Sequence, residues 1–288
     1  SLVQLDENQN KQDRVEFLSA FSNFLREAVP AGQASPEMVP MLMDMIKFGI
    51  GGFKQGAIME GSIDATLQKM AATILQQADA TWGGFGKAPK FPQSFTILFL
   101  LRHYHFTKDE AALRQALLSL DKMMRGGIYD QLGGGFARYA TDNEWLSPHF
   151  EKMLYDNGQL ISLYSLGYEA HKNESYKNVV YQTIAWMKKE MMDEKGAFYC
   201  AIDADSEGEE GKYYCWKEDE LKTILGKEFE WVKDFYSINK DGYWEEEKYI
   251  LLKTESDERF AQKIGRSQKD FKLQLNKINT LLLSARKL

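Results

Sequence analysis

Cysteine is nearly absent: 288 residues contain two, Cys200 and Cys215. Their separation is far from Cys-x-x-Cys spacing, so neither a disulfide framework nor a zinc site is indicated, and two reduced thiols are expected. No apolar run is long enough to cross a bilayer, and no signal sequence with basic, apolar and small-residue regions is present. These absences predict no membrane partner and a cytoplasmic location. Positive charge is also short, with 36 Lys and Arg against 42 Asp and Glu, net charge -6 and pI near 5.4. Without a Lys or Arg stripe, nucleic acid is excluded as the main partner. Nothing calls for a metal or a cofactor.

What the chain has in quantity is helical pattern. Its 44% hydrophobic content is ordinary for a globular chain and allows a sizeable core. The first twelve residues are polar and predicted to be disordered. Helices follow over 13–28, ended by Pro30 and Gly32, and from Ser35 to about Gly49, with a Met-rich stripe that reads as core filler. Ser62 reads as the cap of an amphipathic helix through Leu67, Ile74 and Leu75, ending at Trp82 in Gly83-Gly84-Phe85-Gly86. Ser94 opens another helix, built on Phe95, Leu98, Leu101 and Tyr104, and Asp109 begins its partner, which runs to Met124. His103 and His105 point to different sides, which suits packing or solvation better than ligation.

The stretch from Gly126 to Leu160, GGIYDQLGGGFARYATDNEWLSPHFEKMLYDNGQL, concentrates glycine, aromatic and ionisable residues. Glycines let the backbone approach closely and Tyr129, Phe136, Tyr139 and Trp145 supply rigid walls, so the loop can line a pocket. Ser147 and Pro148 read as N-cap and first residue of a helix to about Lys172. That would set His149, Lys152 and Asp156 on one face, at i, i+3 and i+7. The alternative is a structural loop with a capping His149 and solvated Glu151 and Lys152.

Beyond an outer helix from Tyr176 to Met192, the period changes. In AFYCAIDADSEGEEGKYYCW, the runs Phe198–Ala201 and Lys212–Trp216 predict a β-hairpin insertion at about 197–216, with Cys200 and Cys215 facing each other. Its acidic turn matches a calcium loop at Asp203, Asp205, Glu207 and Gly208 but places Tyr214 where a bidentate Glu is required. A solvated turn, a rim presenting Asp203 or Asp205 to a polyol, and a metal site stay open, in that order. Short helices are expected at Glu218–Leu225 and Phe229–Tyr236, then an extended run Tyr243–Leu252 and a last helix on Phe271, Leu275, Ile278 and Leu282. That helix lacks a glycine cap, which predicts a chain continuing beyond Leu288.

Glycine-aromatic junctions recur at Gly83, Gly126, Gly196 and Gly242, with paired helices between. This predicts helical hairpins whose loops share one rim, as in an α/α toroid, with a simple bundle as rival. GGFGKAPKFPQ at 83–93, the 126–160 stretch and the 197–216 stretch together resemble the thioredoxin-domain-containing proteins of the spermatogenesis-associated, YyaL-like family. The resemblance implies an all-α fold. Residues 1–288 would form a single-domain fragment of an incomplete (α/α)6 toroid of the six-hairpin glycosidase class, similar to N-acylglucosamine 2-epimerases. A thioredoxin-like domain is expected upstream and further hairpins downstream, so that this fragment alone would be inactive and would self-associate. The implied function is sugar processing, epimerase-, isomerase- or glycosidase-like, or sugar binding. His149 or Asp156 would be general base or acid, with Glu151 and Asp130 completing the acid set. Lys90 and Glu151 would position the small sugar-like ligand, Tyr129, Trp145 and Trp216 would stack on it, and Asp203 and Asp205 would hold its hydroxyls. The competing reading is a non-catalytic scaffold or recognition module for the thioredoxin-like domain.

Overall fold

The computed structural model describes residues 60–286. The helices expected over 13–28 and from Ser35, and the disorder expected over the first twelve residues, lie outside these. By contacts the chain divides into Ser1–Met70 and Ala71–Leu288, and apart from the first turns of α1 the elements below belong to the second unit.

The fold class is the expected one, helix-rich with helical hairpins and a few two-residue strands. Helix α1 spans Glu60–Gln76, starting two residues before the expected cap. Helices α2 (Ser94–Thr107) and α3 (Glu110–Arg125) form one hairpin, and α4 (Leu154–His171) and α5 (Glu174–Trp186) the next. Asp109 and Asn173 cap α3 and α5 by accepting backbone N–H groups two residues on, Asp109 as the sequence predicted. Short helices α6 (Glu218–Leu225), α7 (Phe229–Phe235) and α8 (Asp257–Lys263) lead to α9 (Gln268–Ala285). Among the described residues no helix is long and apolar enough to cross a membrane.

Two large apolar clusters result. One joins α2 to α5 through Leu100, Leu120, Phe136, Leu160, Tyr164 and Tyr176. The other joins α6 to α9 through Leu221, Phe235, Tyr236, Phe260, Phe271 and Leu282. The α9 stripe Phe271, Leu275, Ile278, Leu282 is buried as its spacing predicts. On α2 the prediction shifts: Phe95 is 74% exposed and the buried face is Ile97, Leu100, Leu101 and His103.

Two larger corrections concern the central stretch. Residues 148–153 are not helix. Pro148–His149 (β2) pairs with Tyr139–Ala140 (β1), and Lys152–Met153 (β3) pairs with Ala201–Ile202 (β4). The reason lies in Asp142, whose carboxylate accepts the N–H groups of Glu144, Leu146 and Ser147, while the Ser147 carbonyl accepts the Thr141 N–H. Ser147 is thereby consumed inside a turn and cannot cap a helix, which begins only at Leu154. The common face of His149, Lys152 and Asp156 does not exist.

Nor do Phe198–Ala201 and Lys212–Trp216 pair with each other. Asp205–Ser206 (β5) and Glu209–Glu210 (β6) close on themselves about Glu207 and Gly208, both at positive φ, 54° and 78°, as a two-residue hairpin turn needs. The flanking runs are left to find other partners. Ala201–Ile202 takes β3, and Trp216–Lys217 (β7) takes Lys248–Tyr249 (β8). Cys200 is exposed and Cys215 half-buried, both free thiols.

Three of the four glycine junctions meet. Trp145 donates its indole N–H to the Trp82 carbonyl at 2.8 Å, and its own carbonyl accepts the Ile128 N–H at 3.1 Å. Ile250 donates to the Gly242 carbonyl at 2.9 Å and packs against Gly127. Gly196 stands apart, with nothing within 4 Å of where its Cβ would be. Gly84 is indispensable to this knot: its φ is +73° and a Cβ would fall 2.6 Å from the Trp145 ring. Both strain and overlap oppose any side chain there. Gly84→Ala is therefore expected to destabilise the protein by about 2–4 kcal/mol in urea unfolding.

Candidate functional site

The loop after α3 turns back sharply. The Asp130 N–H donates to the Gly135 carbonyl at 3.0 Å and Gly134 returns a bond to the Asp130 carbonyl at 2.9 Å. This aims the Asp130 carboxylate inward, where it accepts the N–H groups of Leu132 and Gly133 at 3.1 and 3.0 Å. Arg286, from just past the end of α9, grips both of its oxygens at 2.7 and 2.8 Å, and Lys152 approaches at 3.3 Å. All three side chains are less than 5% exposed.

Burial alone would push the Asp130 carboxyl up. The Arg286 and Lys152 charges outweigh it and hold the group well below the usual carboxylate range. For Lys152 burial wins and lowers the ammonium to about 8, against the pull of Asp130. The asymmetry has a geometric cause, since the forked Arg286 contact neutralises most of the carboxylate and leaves Lys152 as surplus positive charge. Lys152 compensates by donating to the Gly134 carbonyl at 3.0 Å and lying 4.9 and 4.6 Å from the Trp186 and Tyr214 rings.

Above this triad opens a cavity of about 300 Å3. Asp130 and Arg286 form part of its wall, with the aromatic rings of Trp186, Tyr213 and Tyr214 and the carboxylates of Glu190, Asp203 and Asp205. Glu190 belongs to a turn of π-helix, Met187–Met191, that ends α5 and widens its last turn. Trp186 reaches the site because Gly135, at φ +81°, leaves room: a Cβ there would lie 2.6 Å from the indole. The glycine-rich loop thus does line a pocket through close backbone approach.

Of the candidate site residues read from sequence, this cavity collects Asp130, Asp203 and Asp205. His149 lies on β2, stacked on Tyr139 at 5.1 Å with its Nδ1 2.8 Å from a Glu210 carboxylate oxygen, and lines none of the cavities described here. Glu151 is paired with Arg138 at 3.0 Å. Lys90 is fully buried and spent on Asp79 at 2.8 Å and the Asn143 carbonyl at 2.9 Å, which removes it from any ligand. Trp145 and Tyr129 are also buried, the first in the junction described above, the second donating to Gln182 at 2.7 Å. Trp216 belongs mainly to the α6–α9 core. None of these three aromatic residues lines this cavity. Among the described residues no group of three or more His, Cys, Asp or Glu is placed to hold a metal ion, and Glu207 of the acidic turn is paired with Lys212.

Asp156, in the first turn of α4, differs from the other carboxylates among the described residues. One of its oxygens is buried with no partner, and burial pushes its pKa up to about 6, with Arg138 pulling it down and Glu151 adding to the rise. Trp186, Glu190, Tyr213 and Arg286 were missed. Tyr213 lay inside a motif already singled out, whereas a single arginine near the last residue carries no local signal.

No family model matches the chain. Human spermatogenesis-associated protein 20 is 38% identical over 180 residues, 56% of this chain and 23% of its own length. Over this stretch the chain is similar to that protein. The mouse protein of that name is 36% identical over 183 residues, and a Caenorhabditis elegans protein described as uncharacterized is 34% identical over 184. The chain spans about a quarter of the length of these curated relatives. Among solved structures, a sugar epimerase from a ruminal bacterium matches with a TM-score of 0.46 at 14% identity, over 78% of this chain and 70% of its own. A cellobiose 2-epimerase from Spirochaeta thermophila matches with a TM-score of 0.42 at 17% identity, over 48% and 40%. Scores of this size leave the chemistry to be read from the chain's own side chains.

Arg286→Ala leaves Asp130 buried with one poorly placed cation and is expected to cost about 3–5 kcal/mol in chemical unfolding. Asp156 has a separate pH signature. Because its folded pKa lies near 6 against an ordinary 3.8, the folded state binds the extra proton and stability falls as pH rises from about 4 to about 6. Asp156→Asn removes that loss. Its stability relative to the parent is expected to improve by about 1 kcal/mol between pH 4 and pH 7, after discounting for partial exposure. Thermal unfolding at the two pH values measures this as about 2–4 °C.

Proposed function

We propose that the chain is a single-domain part of a cytoplasmic (α/α)6 toroid and that its cavity binds a sugar-like small molecule. The observation that carries this reading is the lining of the 300 Å3 cavity: Trp186, Tyr213 and Tyr214 beside the carboxylates of Glu190, Asp203 and Asp205. Aromatic faces cover the apolar C–H surface of a sugar ring and carboxylates accept from its hydroxyls, so one wall suits each side of a polyol.

Recognition is favoured over turnover. Asp130 is held ionised by Arg286 and is a poor proton donor, while His149 and Asp156 do not line this cavity. A general acid or base has to reach the reacting group directly or through one water. A binding module acting beside a thioredoxin-like domain accords with this better than an epimerase working through His149.

Titration calorimetry with aldoses, amino sugars and disaccharides tests the proposal. At least one class is expected to bind at micromolar to millimolar concentration, with Tyr213→Ala and Asp203→Asn each weakening it about tenfold and His149→Ala leaving it unchanged. Absence of sugar binding, or equal affinity in the cavity variants, would refute it. Sugar turnover lost in His149→Ala would instead restore the catalytic reading.

A further inference from the structure

A second cleft, of about 270 Å3, lies between the C-terminal end of α3, the outer turns of α5, and helices α8 and α9. Its chemistry differs from that of the acidic, aromatic cavity, because it is lined chiefly by amides and cations. The two carboxylates at its edge are already answered: Asp257 by Lys253 at 3.0 Å, and Glu255 by Lys263 at 3.3 Å and Arg259 at 3.6 Å. Arg125 and Lys272 also line the cleft, and neither side chain has an ion pair or hydrogen bond within the described residues.

Two of the amides are oriented from behind. The buried Tyr129 hydroxyl donates to Gln182 Oε1 at 2.7 Å, and the buried Tyr236 hydroxyl donates to Asn279 Oδ1 at 2.6 Å. Burial raises both tyrosine pKa values far above neutrality, so both hydroxyls stay protonated and remain donors. With their oxygens turned to the tyrosines, Gln182 and Asn279 carry NH2 groups that make no hydrogen bond among the described residues. Guanidinium, ammonium and two amide NH2 groups therefore share one cleft with no acceptor committed to them, an arrangement that calls for an oxygen-rich anion.

The geometry points to a binding site for a phosphate-bearing small molecule in this cleft, held by Arg125, Lys272, Gln182 and Asn279. The site is separate from the proposed sugar cavity and does not rest on that reading.

Calorimetric titration of the full 288-residue chain with glucose 6-phosphate, inorganic phosphate and glucose tests it. Glucose 6-phosphate is expected to bind and glucose not to bind in this cleft. Lys272→Ala, at an exposed position, and Gln182→Glu, which keeps the acceptor for Tyr129 but replaces a donor with negative charge, are each expected to weaken binding about tenfold or more. Tyr213→Ala, in the other cavity, is expected to leave phosphate binding unchanged. Inorganic phosphate binding as tightly as the ester would assign the site to the free anion. The proposal falls if neither phosphate compound binds at millimolar concentration, or if Lys272→Ala and Gln182→Glu bind like the parent.

Discussion

Everything at the centre of this molecule depends on how one buried carboxylate is satisfied. Asp130 has less than 5% of its side chain exposed and receives two backbone N–H groups, a forked guanidinium and an ammonium. A lone buried charge is untenable in a protein interior. The Gly133–Gly135 backbone, β3 with Lys152, and the end of α9 with Arg286 are therefore fixed relative to one another by a single anion. Their meeting is also what gives the cavity its wall, so the electrostatics and the shape of the site are one requirement.

Around this point the aromatic side chains divide by where their polar ends are answered. Trp145 and Tyr129 find backbone or amide partners inside the fold and become part of its frame. Tyr213 stays half-buried beside Arg286, 5.1 Å from its guanidinium, at the edge of the cavity. The same residue type is frame in one place and surface in the other, decided by whether the chain closes over it.

That distinction also explains what could be read from the sequence. Helices whose apolar spacing was clean were legible, α9 with Phe271, Leu275, Ile278 and Leu282 above all, because periodicity reports a buried face directly. The short helices α6 and α7 were legible from the same signal, whereas α8 was not. The failures came where side chains competed with backbone. Asp142 took the N–H of Ser147 and displaced the helix start to Leu154, and the Glu207-Gly208 turn closed so tightly that its flanking runs paired elsewhere. Of the candidate site, Asp130, Asp203 and Asp205 were found as acids in glycine- or turn-rich segments. Arg286 was not, since its partner lies 156 residues away and nothing local announces it.

The distance between those two residues sets an order of events when the chain is made. Closing a loop of that length is entropically slow, and the arginine emerges from the ribosome long after the aspartate. Until α9 has been synthesised and docked, Lys152 is the one remaining cationic partner of Asp130 among the described residues, and the wall that Arg286 completes is missing. Nascent chains would therefore acquire the α2–α5 hairpins early and this cavity wall only once α9 has been made.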